Sequence, residues 1–167
     1  MNPREILRRR TKLLAERRSQ APASLGLPTL VFALGSERYG LPMSEVSEVL
    51  PFARCAPLPG APQWLLGVMS IRGDAFSVME LGGLLGLPPV ADRASGFVLA
   101  FRRGARIALR VDSVLDIKPV LEAELTPPPQ AQAETLPPAL KGLAPDRTMI
   151  LDLDALLSRL AAMNEAV

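Results

Sequence analysis

Residues 3–19 run without an internal proline or glycine, and Ile6, Leu7, Leu13 and Leu14 recur at helical spacing with arginines between them. That pattern predicts an amphipathic basic helix within an arm of residues 1–20. Residues 21–28, with their Ala, Pro, Ser and Gly, read as a linker. From 29 to 163 the texture changes to short apolar runs broken by turn residues, which predicts strands. Segments 30–34 and 38–43 flank Gly35 and Ser36 as a first hairpin, 66–71 and 75–79 flank Gly73 and Asp74 as a second, and 97–101 and 106–111 flank Arg103 and Gly104 as a third. In segment 106–111, Ile107, Leu109 and Val111 alternate with Ala108 and Arg110, the period of a half-buried strand. The remaining expectations are one helical turn over 44–48 capped by Ser44, a short helix over 81–85 ended by Gly86, and an extended proline-rich connector over 126–138. A last strand at 148–151 then leads to a closing helix over 153–163 capped by Asp152.

The chain also echoes itself. Residues 39–51 laid over 107–119 match Leu41 with Leu109, Met43 with Val111, Val46 with Val114 and Val49 with Ile117, and set Ser44 against Asp112 as candidate caps. Residues 78–85 laid over 150–157 give a second echo, each a strand running into a short helix. Offsets of 68 and 72 residues, in the same order along the chain, predict two related β units of about five strands each. Units that small bury too little apolar surface alone, so they should share a packed seam. A seam makes a groove, which suits an incoming helix or strand edge.

Composition narrows the chemistry. The hydrophobic fraction of 49% supports a real core, and aromatics at only 4% make it an aliphatic one, without platforms for stacking bases. Histidine is absent, which removes the usual general base near neutral pH and the commonest metal ligand. Cys55 is the only cysteine and is read as a small apolar filler. The serines at 44, 47, 70 and 77 have no activating partner, and Asp112, Asp116, Asp152 and Asp154 lack the spacing of a calcium loop. Gly82, Gly83 and Gly86 lack the spacing of a phosphate-binding loop. The expectation is therefore a non-enzymatic protein with no catalytic, cofactor or metal site. No apolar run is long enough to span a bilayer and no secretory signal is read, so a cytoplasmic setting is expected. The arm carries +5 and the remainder −3 of the chain's net +2. An arginine-rich arm can dock on a partner or an anionic membrane surface, whereas nucleic acid is disfavoured because no aromatic lies among its arginines.

Four stretches in order, together covering nearly all of residues 29–160, resemble the CheW family. They are 31–42 (VFALGSERYGLP) with 46–49 (VSEV), then 58–73 (LPGAPQWLLGVMSIRG), then 111–114 (VDSV), and finally 140–143 (LKGL) with 150–153 (ILDL). The resemblance implies a mainly β fold, two intertwined five-stranded SH3-like barrels with short helices, in agreement with the internal echo. It also implies an adaptor that binds the regulatory domain of a CheA-type histidine kinase and the cytoplasmic tip of methyl-accepting chemoreceptors, in receptor arrays at the inner membrane face. Two polar positions that the family associates with partner coupling fall on Glu48 and Arg72. With Gly73 in the adjoining turn and Val46 and Val49 as apolar neighbours, they form the expected partner-binding set. From the residues alone, Arg72 could instead brace an acid such as Glu48, and Val46 and Val49 could be core. Two departures are mild: Ser70-Ile71 stands where Asn-Leu is common, and Glu80 where Asp is usual. Two other functions remain open at the level of sequence, a competitor that inhibits arrays and a membrane or nucleic-acid surface binder acting through the arm.

Overall fold

Short apolar runs punctuated by glycine turns are too brief for stable helices and long enough for one strand each, and ten strands form among the described residues. A computed structural model describes residues 26–89, 95–128 and 139–165. The arm at 1–20, residues 21–25 of the linker and residues 129–138 of the connector lie outside the described residues. In order, the elements are β1 (Leu27–Leu34), β2 (Glu37–Pro42), β3 (Glu48–Pro51), β4 (Leu65–Ile71), β5 (Asp74–Glu80) and α1 (Leu81–Leu84). After these come β6 (Phe97–Arg103), β7 (Ala105–Val111), β8 (Ser113–Val120), a 3-10 turn (Glu122–Glu124), β9 (Leu140–Leu143), β10 (Met149–Leu151) and α2 (Leu153–Glu165).

The strands make two five-stranded sheets, ordered β8-β1-β2-β10-β9 and β3-β6-β7-β5-β4. Each strand of one order is five places in sequence from its counterpart in the other, so the two sheets are the same design with the halves of the chain exchanged. The first sheet takes β1 and β2 from the first half and three strands from the second, and the other sheet does the reverse. Register repeats the echo. The parallel pair of β5 and β7 sets Ser77 against Ile107 and Val78 against Ala108, while that of β10 and β2 sets Met149 against Tyr39 and Ile150 against Gly40. These pairs differ by the same 68 and 72 residues that the sequence shows.

Burial explains why the halves cannot separate. One cluster of twenty buried residues joins Leu30, Phe32, Tyr39 and Leu41 of one sheet to Leu99, Phe101, Leu109 and Val111 of the other, with Leu153, Leu156 and Leu160 of α2 added. The two clusters on the other faces of the sheets hold six and three buried residues, so the seam is the principal core. At about 1.5–3 kcal/mol for each large side chain fully buried, the seam outweighs either smaller interior. Across β1 and β2 the rings of Phe32 and Tyr39 stack at 6.2 Å between centroids. Helix α2 begins as its sequence predicts, with the Ala155 amide donating to Asp152 Oδ1 at 3.0 Å.

Three expectations are corrected. Residues 43–45 form a turn in place of a helical turn over 44–48, held by the Glu45 amide donating to Pro42 O and the Val46 amide donating to Met43 O; the Ser47 amide already donates across to Ala100 O of β6, and Glu48 belongs to β3. Asp112 caps no helix, because Ser113 starts β8; its Oδ2 accepts from the Gly35 amide at 2.7 Å and so pins the β1–β2 turn. Strand β7 is not half-buried, since Ala108 and Arg110 are 0% and 1% exposed along with their apolar neighbours. Arg110 tolerates burial because its guanidinium meets Glu80 Oε1 at 3.0 Å, Asp112 Oδ1 at 3.1 Å and the Ser95 carbonyl at 2.6 Å. Glu80 and Arg110 are register partners in the β5–β7 pair, so the cation and the carboxylate enter the interior together.

Replacing only Arg110, as Arg110→Met, leaves Glu80 buried without this cation, and a loss of about 3–5 kcal/mol is expected by denaturant unfolding. The double variant Arg110→Met with Glu80→Leu should regain most of that loss. Equal losses in both variants would show that the ionic pairing is not what the site requires.

Candidate functional site

Strands β4 and β5 are joined by only Arg72 and Gly73, with Ile71 paired to Asp74. Among the two-residue hairpin loops that follow the right-handed twist of their strands, the type I′ turn has positive φ at both positions. Gly73 meets this freely at φ +86°, and Arg72 adopts φ +51°, unusual for a residue with a Cβ. The Arg72 side chain is thereby carried out of the sheet, 75% exposed.

Opposite it stands Glu48, the first residue of β3, whose side chain is 19% exposed. Arg72 Nε lies 2.8 and 2.9 Å from the two Glu48 carboxylate oxygens, and Arg72 Nη2 lies 2.8 Å from Oε1. Strands β3 and β4 are the outer members of their sheet, so this pair links its two ends and closes the sheet towards a barrel. The other sheet is closed at the matching place: Lys118 of β8 pairs with Asp146, in the turn between β9 and β10, and donates to Thr148 Oγ1 at 2.9 Å. Hydrogen bonding to Arg72 is the main cause holding the Glu48 carboxyl below its usual range, and it raises Arg72 in turn. The Lys118 ammonium likewise lowers Asp146 to about 2.

The expected site residues thus divide. Glu48, Arg72 and Gly73 come together at one end of the sheet. Val49 follows Glu48 in β3, half-buried and packed on the main core. Val46 is 7% exposed and belongs to that core, so it supports β3 from beneath and offers no surface for contact. Sequence reading missed the charges alongside. Asp74, next to Gly73, accepts from Arg102 at 2.6 Å and lies 3.1 Å from Arg106, while the Arg102 guanidinium sits 5.0 Å from the centre of the Phe76 ring. Arg102 also helps to hold Glu48 low, so the row Arg72, Glu48, Arg102, Asp74, Arg106 acts as one alternating electrostatic surface. The only signal in the sequence was a pair of arginines at a hairpin tip, which usually means solvation.

Among the described residues no group of three or more His, Cys, Asp or Glu is placed to hold a metal ion. Cys55 is partly buried, with its thiol 3.2 Å from the Leu66 carbonyl, and packs on the smaller core of its sheet. Among the described residues no helix is long and apolar enough to cross a membrane. The row presents ordered, alternating charge beside strand edges, a surface of the kind that electrostatic complementarity between proteins uses.

Comparison with known proteins identifies a family. Residues 28–161 match the family model described as the CheW-like domain. The chain is 27% identical over 133 residues to the "Probable chemotaxis protein CheW" of Rhizobium etli, covering 77% of this chain and 86% of that protein. It is 35% identical over 82 residues to the "Protein PilI" of Pseudomonas aeruginosa, covering 49% and 46%. Among solved structures it is similar to the scaffolding protein TtCheW from Thermoanaerobacter tengcongensis, with a TM-score of 0.66, 27% identity, and coverage of 76% of this chain and 88% of that one.

Because its folded pKa is lowered, Glu48 contributes stability that is present above the ordinary carboxylate range and is lost as pH falls through the folded value. Carbon-detected NMR titration should find Glu48 titrating below an ordinary glutamate, and Arg72→Ala should return it towards the usual range. An unchanged Glu48 titration in that variant would mean that the ion pair does not form in solution.

Proposed function

Because the chain belongs to the CheW-like domain family, we propose that it is a non-enzymatic scaffold coupling chemoreceptors to a CheA-type sensor histidine kinase in bacterial signal transduction. In this reading the partners are the regulatory domain of that kinase and the cytoplasmic tip of methyl-accepting receptors, and the protein works in the cytoplasm at receptor arrays. The observation that carries it is the Glu48–Arg72 pair. Both positions are those that the resemblance assigns to partner coupling, and the fold brings them to one outer surface 2.8 Å apart.

The proposed contact set is Glu48, Val49, Arg72 and Gly73, with Val46 holding β3 in place from the core. Arg72 engages Glu48 through Nε and Nη2, and among the described residues Nη1 has no partner, so one edge of the guanidinium can take an incoming carboxylate. Val49 supplies apolar area next to it. A partner docked here reads a fixed pattern, because the hairpin turn and the ion pair hold Arg72 in place beforehand and less side-chain freedom is lost on binding.

The test is a reconstituted assay of receptor, kinase and this protein. Arg72→Ala should lower receptor-dependent kinase activation about tenfold, while circular dichroism and the unfolding midpoint stay close to those of the parent chain. Undiminished activation by a folded Arg72→Ala protein would refute the assignment of the surface. Failure of the parent chain to bind either partner would refute the function itself.

A further inference from the structure

Edge strand β8 carries an apolar stripe that the described fold leaves bare. Register places Ile117 beside Leu30 and Pro119 beside Pro28, so Ile117, Pro119 and Pro28 share a face with Leu30, which enters the main core while the others extend it outward at the edge, and Leu115 sits at the bulge next to them. Leu115 and Ile117 are 48% and 53% exposed, and both prolines are exposed as well. Among the described residues no strand pairs with the outer edge of β8. Strand β3, at the matching place in the other sheet, has Ser47, Val49 and Pro51 at the equivalent positions, and there Val49 packs on the core. An apolar strand edge left open invites association, and natural sheets cover or charge such edges.

We propose that residues 1–19 of the same chain fold back and cover the β8 stripe. The point of departure favours this. Leu27 pairs with Val120 at the end of β8, and a Cβ added at Gly26 would come within 2.8 Å of the Val120 backbone, so the N-terminal segment leaves the body against the strand it would cover. Dimensions agree. Residues 3–19 as a helix would span roughly 25 Å, and the eight residues of β8 extend roughly 26 Å. Residues 20–25, extended, could reach about 20 Å, enough to reverse direction. Ile6 and Leu7 stand about 10 Å from Leu13 and Leu14 along a helix, close to the roughly 13 Å from Leu115 to Pro119.

Charge selects the same occupant. The segment carries +5 and the rest of the chain −3. Within and just after β8, Asp116, Glu122 and Glu124 are exposed; Lys118 of β8 is paired with Asp146 and Glu122 with Lys141, so four acids against two lysines leave this edge net acidic. A tethered segment meets this surface at an effective concentration of about millimolar, so weak individual contacts suffice to hold it. The body alone determines this docking, which needs neither receptor nor kinase. It keeps the β8 edge covered until something stronger displaces the arm.

Hydrogen exchange followed by mass spectrometry on the full chain, at about 0.1 M salt, tests this. Residues 113–120 should exchange about tenfold faster in the variant carrying Leu7→Asp and Leu14→Asp than in the parent chain. Ile117→Asp, an exposed substitution on the body, should speed exchange of residues 4–14 to a similar degree. Unchanged exchange at either segment would overturn the proposal. So would protection that vanishes on dilution, which points to a second copy, or protection of residues 4–14 only when phosphatidylserine vesicles are added, which points to a membrane.

Discussion

One aliphatic seam holds this molecule together. Neither sheet has an interior large enough to stand by itself, and the largest cluster of buried side chains lies where the inner faces of the two sheets meet beneath α2. The exchange of strands makes the seam obligatory. Each sheet contains strands from both halves of the chain, so a half cannot fold and wait for the other. This follows from size: small β units gain too little from burial to offset chain entropy, and sharing a core is the remedy.

What the seam leaves outside is one outer strand at the matching end of each sheet, β3 and β8, and the means of closing each sheet. Glu48–Arg72 closes one and Lys118–Asp146 the other, at matching places in the topology. Exposed ion pairs add little stability because water screens them. Their value here is geometric, since each fixes where an outer strand lies relative to a hairpin turn. In the β3-β6-β7-β5-β4 sheet this fixes the arginine at the left-handed turn position: the turn sets its direction and the carboxylate sets its end point, which is the geometry on which its proposed role rests.

Much of this was legible in the sequence, for physical reasons. Glycines at 35, 73 and 104 marked hairpin turns because positive φ is costly elsewhere, and the echo at 68 and 72 residues is visible in the strand register itself. Strands β3 and β9 were not legible because four residues give no period, and β8 was hidden by Pro119, which is tolerated on an edge strand. Arg110 misled the period of β7, since a buried arginine counts as polar until its register partner Glu80 is known. Of the site, the resemblance supplied Glu48 and Arg72, while the neighbouring Asp74, Arg102 and Arg106 needed three-dimensional placement. Val46 was ambiguous because an apolar residue beside a surface strand has the same signature whether it faces in or out.

The account depends on both sheets opening as one unit. Native-state hydrogen exchange across a denaturant series measures this directly, through the slowest amides of β1 and β2 in one sheet and of β6 and β7 in the other. A shared seam predicts that both sets converge on one opening free energy with one denaturant slope. Two separate isotherms, with one sheet opening while the other stays closed, would contradict it.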